Sequence, residues 1–415
     1  MTPEIKQQIE QIRRGEVPEG FKHNSASVMP CDWNTCDFHE VATIQSGLVS
    51  PKEEPYCFMF HIGPDNIERD TGRIGNLKTA CELGLVSGKF YFDAGSIVYS
   101  KIRPNLNKVC IPNFEGICSA DCYSIKARAG IDRDYLFNLM LSFPFYRRAV
   151  ACSMRTGMPK INQDDLNAIP VVMPSQLEEQ QKIAAILTTQ DKVIELKEKL
   201  LAEKQRQKKY LMQVLLTGKK RLPRFSGEWK VNRLRNIATR HTKRNTIGNT
   251  NALTISAQYG LINQAEFFNK AVASDDKSNY FLLEKGDFAY NKSYSNGYPF
   301  GAIKRLTRYE VGIVSPLYIC FRIKEGSVSG EYLEQYFEAG LMNHEIQAFA
   351  QEGARNHGLL NIAVDDFFNS KILLHSPEEQ TAIAEIFSTA DREIDLLRQD
   401  IEQEKQKKKI GRAHV

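Results

Sequence analysis

The feature that most constrains this chain of 415 residues is an internal repeat. The segment EEQQKIAAILTTQDKVIELKEK begins at Glu178, and EEQTAIAEIFSTADREIDLLRQ begins at Glu378, 200 positions later. The two copies align without a gap, and ten of their positions are identical. Because an internal repeat determines architecture more strongly than local features do, we expect the chain to be built as two related halves.

Apolar residues in both copies follow the spacing of a coiled coil. Steps of three and four residues alternate, which is the a/d pattern of a heptad. The residues predicted to face a partner helix are Ile183, Leu187, Ile194, Leu201, Ile383, Phe387, Ile394, Leu397 and Ile401. Each copy therefore predicts a long helix, and the obvious partner is the other copy. An alternative is that each apolar seam packs on its own domain, as amphipathic helices commonly do.

The regions before the two helices correspond more faintly. Gly95, Tyr99 and Lys101 match the second half in spacing, where Gly286, Tyr290 and Lys292 stand. Short β-branched and aromatic runs separated by Gly, Asn and Pro predict strands, and helical stretches follow them. The predicted fold class is therefore α/β, a mixed α+β fold with two tandem domains of about 150 residues, each followed by a long helix.

The predicted boundaries follow this organisation. They are an N-terminal helical segment at 1–21, a first domain at 22–176, a first long helix at 177–221, a second domain at 222–376 and a second long helix at 377–409. The segment 410–415, IGRAHV, resembles an in-frame translation of a common sequencing adapter. We expect it to be an artefact or a truncation scar and leave it out of the fold prediction.

Composition excludes several classes of protein. The net charge of +5 suits a polyanionic partner without requiring one. The nine cysteines, eight of them between Cys31 and Cys152, do not form the pattern of a disulfide framework, and Cys118 and Cys122 lack the spacing of a zinc site. The first residues lack the apolar core of a secretion signal, and no apolar run is long enough to cross a membrane. We expect a cytoplasmic protein with no membrane partner and no metal site.

Two loops in each half carry side chains suited to nucleic acid. Arg and Lys can contact phosphate or guanine, Asn can contact adenine, and Tyr can contact phosphate. The candidate DNA-binding residues are Lys101, Arg103, Asn105, Asn107, Arg155 and Lys160 in the first half, and Lys292, Tyr294, Asn296, Arg355, Asn356 and His357 in the second. The alternative for each residue is that it only forms a turn.

Motifs of catalysis do not occur in the sequence. It has no phosphate loop of the form G-x-x-x-x-G-K-[ST], no G-x-G-x-x-G and no Asn-Pro-Pro-Tyr-type tetrad. Asp164 and Asp165, like Asp365 and Asp366, stand where helices are expected to begin, and they are interpreted as helix caps rather than catalytic carboxylates. We predict no active site and no cofactor bound by this chain.

Two dissimilar domains, the repeated EEQxxIAxIxxTxD helices with basic stretches, and LLTGKKRLP after the first helix together resemble the specificity subunit of Type I restriction-modification systems. The resemblance covers almost the whole chain. It implies that the domains are target recognition domains, each reading one half of a split, asymmetric sequence in double-stranded DNA. It also implies that the repeated helices pair as an antiparallel coiled coil, with pseudo-two-fold symmetry, and hold the domains apart.

The resemblance further implies partners. Two adenine methyltransferase (modification) subunits and the restriction and translocase subunits would dock on this non-catalytic chain, and S-adenosylmethionine, ATP and Mg²⁺ would be bound by those subunits. The competing hypothesis is a non-catalytic coiled-coil scaffold without DNA sequence preference. That hypothesis explains the duplicated helices, but it leaves the basic loops unexplained.

Overall fold

A computed structural model describes residues 3–24, 27–153, 159–256, 259–268, 277–295, 297–352 and 360–413. The chain forms two compact units. The first comprises Met1–Lys197 with Asp400–Val415, and the second comprises Glu198–Gln399. Each unit therefore contains one domain and a part of each long helix.

The first unit is built from short strands and helices that precede the first long helix. Its helices are α1 (Pro3–Arg13), α2 (Phe38–Val41), α3 (Arg133–Met140), α4 (Phe143–Cys152), α5 (Gln163–Asn167) and the beginning of α6 (Leu177–Leu215). Its strands are β1 (Phe21–Asn24), β2 (Ser27–Pro30), β3 (Trp33–Asp37), β4 (Ala42–Ile44), β5 (Leu48–Val49), β6 (Phe60–Ile62), β7 (Lys78–Thr79), β8 (Lys89–Phe92), β9 (Ile97–Ser100), β10 (Val109–Cys110), β11 (Gly116–Cys118), β12 (Cys122–Ala127) and β13 (Pro170–Pro174). Short 3₁₀ turns lie at Tyr56–Phe58, Pro64–Asn66 and Pro104–Leu106.

Two sheets organise the first domain. One has four strands in the order β10-β9-β12-β4, and the other has five in the order β5-β8-β11-β6-β7. Strand β3 pairs with β13 and β1 with β2. One core packs the four-stranded sheet against α2–α5, and a smaller core includes Ile62, Phe92 and three buried cysteines. The domain is thus held by apolar burial, which is the main stabilising contribution in a fold of short elements.

The second unit repeats this plan with different loops. Its helices are α7 (Leu234–Ile237), α8 (Gln264–Phe268), α9 (Gly330–Glu338), α10 (Asn343–Phe349), α11 (Val364–Asn369) and the beginning of α12 (Pro377–Ala413), together with the end of α6. Its strands are β14 (Lys230–Arg233), β15 (Ala238–Arg240), β16 (Leu253–Ser256), β17 (Gly260–Asn263), β18 (Phe281–Glu284), β19 (Phe288–Asn291), β20 (Ala302–Arg305), β21 (Val311–Val314), β22 (Ile319–Ile323), β23 (Gln351–Glu352), β24 (Leu360–Asn361) and β25 (Lys371–Leu374).

The central sheet of the second domain matches that of the first. Its order is β15-β22-β19-β20, which corresponds strand by strand to β4-β12-β9-β10. The pair β14-β25 likewise corresponds to β3-β13. The large core of this unit packs Phe288 and Phe321 as stacked rings, with centroids 5.2 Å apart, against α9, α11 and the end of α6. The faint sequence correspondence between the halves therefore reflects a shared framework.

Helices α3 and α5 begin at polar caps, which explains where they start. Asp132 accepts a hydrogen bond from the Tyr135 amide (2.8 Å) at the start of α3, and Asn162 accepts one from the Asp165 amide (2.7 Å) at the start of α5. Asp164 and Asp165 lie in the first turn of α5, so the prediction that they are the caps is wrong by a few positions. In the first turn their charges still interact favourably with the helix dipole.

The same correction applies to the second domain. The residue at the cap position of α11 is Ala363, whose side chain makes no capping bond, and Asp365 and Asp366 lie in the first turn.

In the first unit, the beginning of α6 and the end of α12 run antiparallel and are joined by polar contacts. Lys197 lies 2.7 Å from Asp400, and its Nζ donates to Glu404 (3.2 Å). Further along, Lys408 contacts Asp191. As the residue number rises on α6 it falls on α12, which defines antiparallel pairing. Leu187, Ile194 and Ile401 of the predicted seam are buried.

In the second unit the remaining parts of the helices pair in the same sense. Lys204 lies 2.8 Å from Glu393 and Lys208 lies 2.6 Å from Asp391. Ile394 is buried, while Leu201 and Leu397 are half-buried. The predicted mixed α/β fold with antiparallel helix pairing is therefore confirmed.

The first turns of each long helix pack on a domain as well as carrying the seam. Ile183, which is half-buried, packs against the core of the first domain. Ile383 and Phe387 belong to the core of the second. The alternative that a seam packs on its own domain thus describes the beginning of each helix, and helix pairing describes the rest.

The two long helices end at Leu215 and at Ala413. Helix α6 ends at Leu215, and Gly218 follows with a φ of +75°. Helix α12 continues through the segment 410–413, where the Arg412 side chain donates to the Asn138 side chain (3.2 Å). Among the described residues, no helix is long and apolar enough to cross a membrane.

Candidate nucleic-acid interface

The two predicted loops of the first domain meet in the structure. The first joins β9 to β10, and the second precedes α5. The Arg103 amide donates to the Pro159 carbonyl (2.7 Å), and the Ile161 amide donates to the Lys101 carbonyl (2.9 Å). This backbone pairing places Lys101, Arg103 and Lys160 within one short antiparallel segment.

The first loop has a compact backbone that presents some of its side chains to solvent. Arg103 and Asn107 adopt the left-handed region, with φ of +47° and +45°, on either side of the 3₁₀ turn Pro104–Leu106. Asn is among the residues that tolerate this region best. Arg103 and Asn105 are exposed, whereas Lys101 is half-buried.

Asn107 has a different environment from its neighbours. Its side chain is 7% exposed, and its Nδ2 donates to Asp70 Oδ1 (3.0 Å) and to the Leu141 carbonyl (3.4 Å). A side chain whose donors are already paired inside the protein is poorly placed to contact a base. The structure therefore separates Asn107 from the exposed candidates of the same loop.

Lys101 and Lys160 create positive potential at this joint. The Lys101 ammonium lies 5.1 Å from the centroid of the Tyr123 ring, a cation–π distance. Burial, and then the charge of Lys160, lower the pKa of Lys101 below its ordinary value. Two cations that disfavour each other are stabilised by an anion placed between them, as a phosphate group would be.

The second domain has the same joint in its own loops. The Leu360 amide donates to the Lys292 carbonyl (3.0 Å), as the Ile161 amide does to the Lys101 carbonyl in the first domain. Tyr294 follows in the loop and is 64% exposed. An exposed aromatic hydroxyl beside a half-buried lysine can contact a nucleic-acid backbone.

The base of this loop is held rigidly by a polar network. The Tyr298 hydroxyl donates to Glu338 (2.7 Å) and accepts from Lys304 (2.8 Å). Burial and the charge of Glu338 raise the pKa of Tyr298. Gly301 has a φ of +80°, and a Cβ there would lie 2.3 Å from the Asn291 carbonyl oxygen, so only glycine fits.

Some predicted candidates lie outside the described residues. These are Arg155, Asn296, Arg355, Asn356 and His357. The matched tyrosines of the Tyr-x-Lys pattern, Tyr99 and Tyr290, are buried core residues and not part of the surface.

Three cysteines of the first domain belong to its core. All nine cysteines of the chain are free thiols. Cys110, Cys118 and Cys122 are fully buried, and burial raises the pKa of the Cys118 thiol to about 12. Burial also lowers the pKa of His61 to about 4. Within the described ranges, no group of three or more His, Cys, Asp or Glu side chains is arranged to hold a metal ion.

Sequence reasoning missed one pair of residues at the domain–helix joints. Gln180 and Gln380 recur in the repeat, but no role was predicted for them. Both are buried, at 1% and 2% exposure. A polar side chain that recurs at a buried position would have been a usable signal, because buried amides require hydrogen-bond partners.

Comparison with known proteins finds a family model that matches the first half of the chain. Residues 30–205 match the family model of the Type I restriction modification DNA specificity domain. The resemblance stated from the sequence is confirmed by this match.

Two curated relatives match parts of the chain at the level of sequence. The chain is 41% identical over 181 residues to the Type I restriction enzyme EcoDI specificity subunit of Escherichia coli, covering 44% of this chain and 38% of that protein. It is 28% identical over 217 residues to the MjaVIII specificity subunit of Methanocaldococcus jannaschii, covering 49% of this chain and 50% of that protein. The matches thus span half or less of these relatives' own lengths.

Solved structures share the fold along almost the whole chain. The HsdS subunit from Thermoanaerobacter tengcongensis has a TM-score of 0.52 and 17% identity, with 94% of this chain and 100% of that one covered. The S subunit of a Type I restriction-modification system from M. genitalium has a TM-score of 0.56 and 11% identity, with 95% and 97% covered. At these identities the likeness shows the fold, and it extends to both halves.

Proposed function

We propose that this chain is the DNA sequence-specificity subunit of a Type I restriction-modification complex. The observation that carries the proposal is the joint common to both domains, at which the Lys101 and Lys292 carbonyls accept from the amides of Ile161 and Leu360. This joint gathers cationic and exposed polar side chains on a domain that matches the DNA specificity family. Because the two domains differ in their loops, each would read a different half of a split, asymmetric target.

The proposal assigns recognition to this chain and chemistry to its partners. Two methyltransferase subunits and the restriction and translocase subunits would bind it, and they would carry S-adenosylmethionine, ATP and Mg²⁺. The antiparallel ion pairs of the long helices support a repeated docking frame, since a repeat offers two equivalent sites to identical subunits. A DNA-reading role also agrees with the expected cytoplasmic location. The purified chain alone should neither methylate nor cleave DNA.

The test is a map of N6-methyladenine in cells that express this chain with its neighbouring methyltransferase gene. Cells with the methyltransferase alone are the control. We expect a new split motif that requires this chain. Replacing residues 22–176 with the corresponding domain of a relative should change one half of the motif and leave the other unchanged.

The outcome that would overturn the proposal is a methyltransferase that co-purifies with this chain but gives no new motif. That result would favour the coiled-coil scaffold, which predicts partner binding without any DNA sequence preference.

A further inference from the structure

The repeated glutamine at the start of each long helix, Gln180 or Gln380, forms equivalent contacts in both units. In the first unit, Gln180 Oε1 accepts from the Asp132 amide (2.9 Å), and Gln180 Nε2 donates to the Pro174 carbonyl (3.1 Å). One side chain therefore joins three elements. Asp132 caps α3, Pro174 ends β13, and Gln180 lies in the first turns of α6.

Gln380 makes the equivalent pair of bonds in the second unit. Its Oε1 accepts from the Ser329 amide (3.1 Å), and its Nε2 donates to the His375 carbonyl (2.9 Å). Ser329 caps α9, and His375 directly follows β25. The partners fix the orientation of each side-chain amide. Its oxygen must accept from a main-chain N–H, and its nitrogen must donate to a main-chain carbonyl.

The neighbouring glutamates differ between the units, which sets the glutamines apart. Glu179 accepts from Trp33 Nε1 (3.1 Å), whereas Glu379 pairs with Arg221. Of the two residues in this pair, the glutamine keeps equivalent main-chain partners in both units. The repeat therefore preserves the bond between helix and domain while the surrounding contacts change.

We propose that Gln180 and Gln380 are positioning residues that fix the orientation of each recognition domain on its long helix and thereby fix the spacing between the two half-sites. The inference rests on the proposed function. Each glutamine is buried, so removing its amide leaves a main-chain donor and a main-chain acceptor unpaired. The apolar contacts that remain between helix and domain allow the domain to tilt, and its loops are then no longer held at one distance along the DNA.

The experiment uses the chain in complex with its methyltransferase and duplex oligonucleotides that carry the mapped motif. The gap between the half-sites is native, one base pair shorter or one base pair longer. The measured quantity is the ratio of methylation rates on native and altered gaps. For Gln180→Met and Gln380→Met we expect this ratio to fall by roughly tenfold, because two buried hydrogen bonds no longer oppose the tilt.

Matched variants separate positioning from stability. Gln181→Met changes the exposed neighbouring glutamine and should keep the native ratio. Leu139→Val weakens the core of the first domain without touching the joint, so it should slow methylation on all gaps equally. Gln180→Glu keeps an acceptor for the Asp132 amide but loses the donor to Pro174, and it should give an intermediate ratio. An unchanged ratio in Gln180→Met, or an equal fall in Leu139→Val, would overturn the proposal.

Amide hydrogen exchange tests the joint independently of methylation. In Gln180→Met the Asp132 amide should lose protection while the Ser329 amide keeps it, and Gln380→Met should give the reverse. If the protection of both amides is unchanged in both variants, the inference is wrong, even where the proposed function holds. A wild-type complex without any motif, but with the expected exchange pattern, would instead locate the failure in the proposed function.

Discussion

Asn107 and Asn105 lie two positions apart in one loop but differ in what they contact. Asn107 is buried, adopts a φ of +45° and donates to Asp70, whereas Asn105 is exposed. We expect Asn107→Ala to lower the free energy of unfolding by about 2 kcal/mol, from the left-handed backbone and the lost buried bonds. Asn105→Ala should change it by less than about 0.5 kcal/mol. Urea unfolding of both variants checks this, and equal losses would contradict the assignment.

Lys101 belongs to the same loop, and its ammonium lies near the Tyr123 ring and a second cation, Lys160. If it contacts phosphate, Lys101→Met should weaken DNA binding and reduce the slope of log K against log salt by about 1. The sequence of the preferred half-site should stay the same, because phosphate contacts position the protein without reading bases. Anisotropy titrations of the methyltransferase complex at several salt concentrations measure both quantities. Lys52→Met, an exposed lysine of the same domain, is the control, and an equal change of slope there would count against Lys101.

At the scale of elements, the contact between the long helices in the first unit depends on pH through Glu404. Bonds from Gln190, Lys197 and Lys407 hold the pKa of Glu404 down at about 2. A carboxyl whose pKa is lower in the folded state stabilises the fold above its unfolded value, which is near 4.5, and this contribution is lost as pH falls toward about 2.

Glu404→Gln should therefore be less stable than wild type at pH 7, and the difference should shrink as pH falls below about 4.5. Chemical denaturation at a series of pH values between about 3 and about 7 would measure the difference in stability between the variant and the wild type. Glu402→Gln, an exposed glutamate on the same helix, should follow the wild type more closely. A constant difference between Glu404→Gln and wild type at all pH values would show that the ionised carboxylate does not contribute.

The sequence predicts some elements far better than others. The long helices could be placed because periodicity extends over many turns, and the loops because turn-forming residues cluster between strands. The sheet orders could not be predicted, since β11 pairs with both β6 and β8 and the strands are only two to six residues long. The Gln180 joint was missed because its partners are main-chain atoms, 6 and 48 positions away in sequence, and main-chain atoms leave no side-chain pattern.

At the scale of the whole molecule, the proposed function implies that the length of the paired helices sets the number of base pairs between the two half-sites. Inserting one heptad into α6 and one into α12, at the register where Lys197 meets Asp400, lengthens the pair by about 10 Å at ~1.5 Å per residue. We expect the gap between the half-sites to grow by about three base pairs, at ~3.4 Å each.

Methylation mapping of the insertion variant measures the gap directly. The control replaces an existing heptad by the inserted sequence at constant length and should leave the gap unchanged. A motif with its original gap in the lengthened protein would show that the helices do not set the spacing.

The glutamine joint also bears on how new specificities arise. Gln180 and Gln380 hold their domains only through main-chain atoms, an amide at a helix cap and a carbonyl at or just after a strand end. Every residue except proline, which has no amide N–H, supplies those atoms whatever its side chain. A domain with an unrelated surface can therefore be attached to the same helix provided that it keeps the backbone path. Under the proposed function, recombination between genes that share this repeat would exchange one recognition domain for another. The hydrogen bonds of Gln180 and Gln380 would be kept, and the recognised DNA sequence could change.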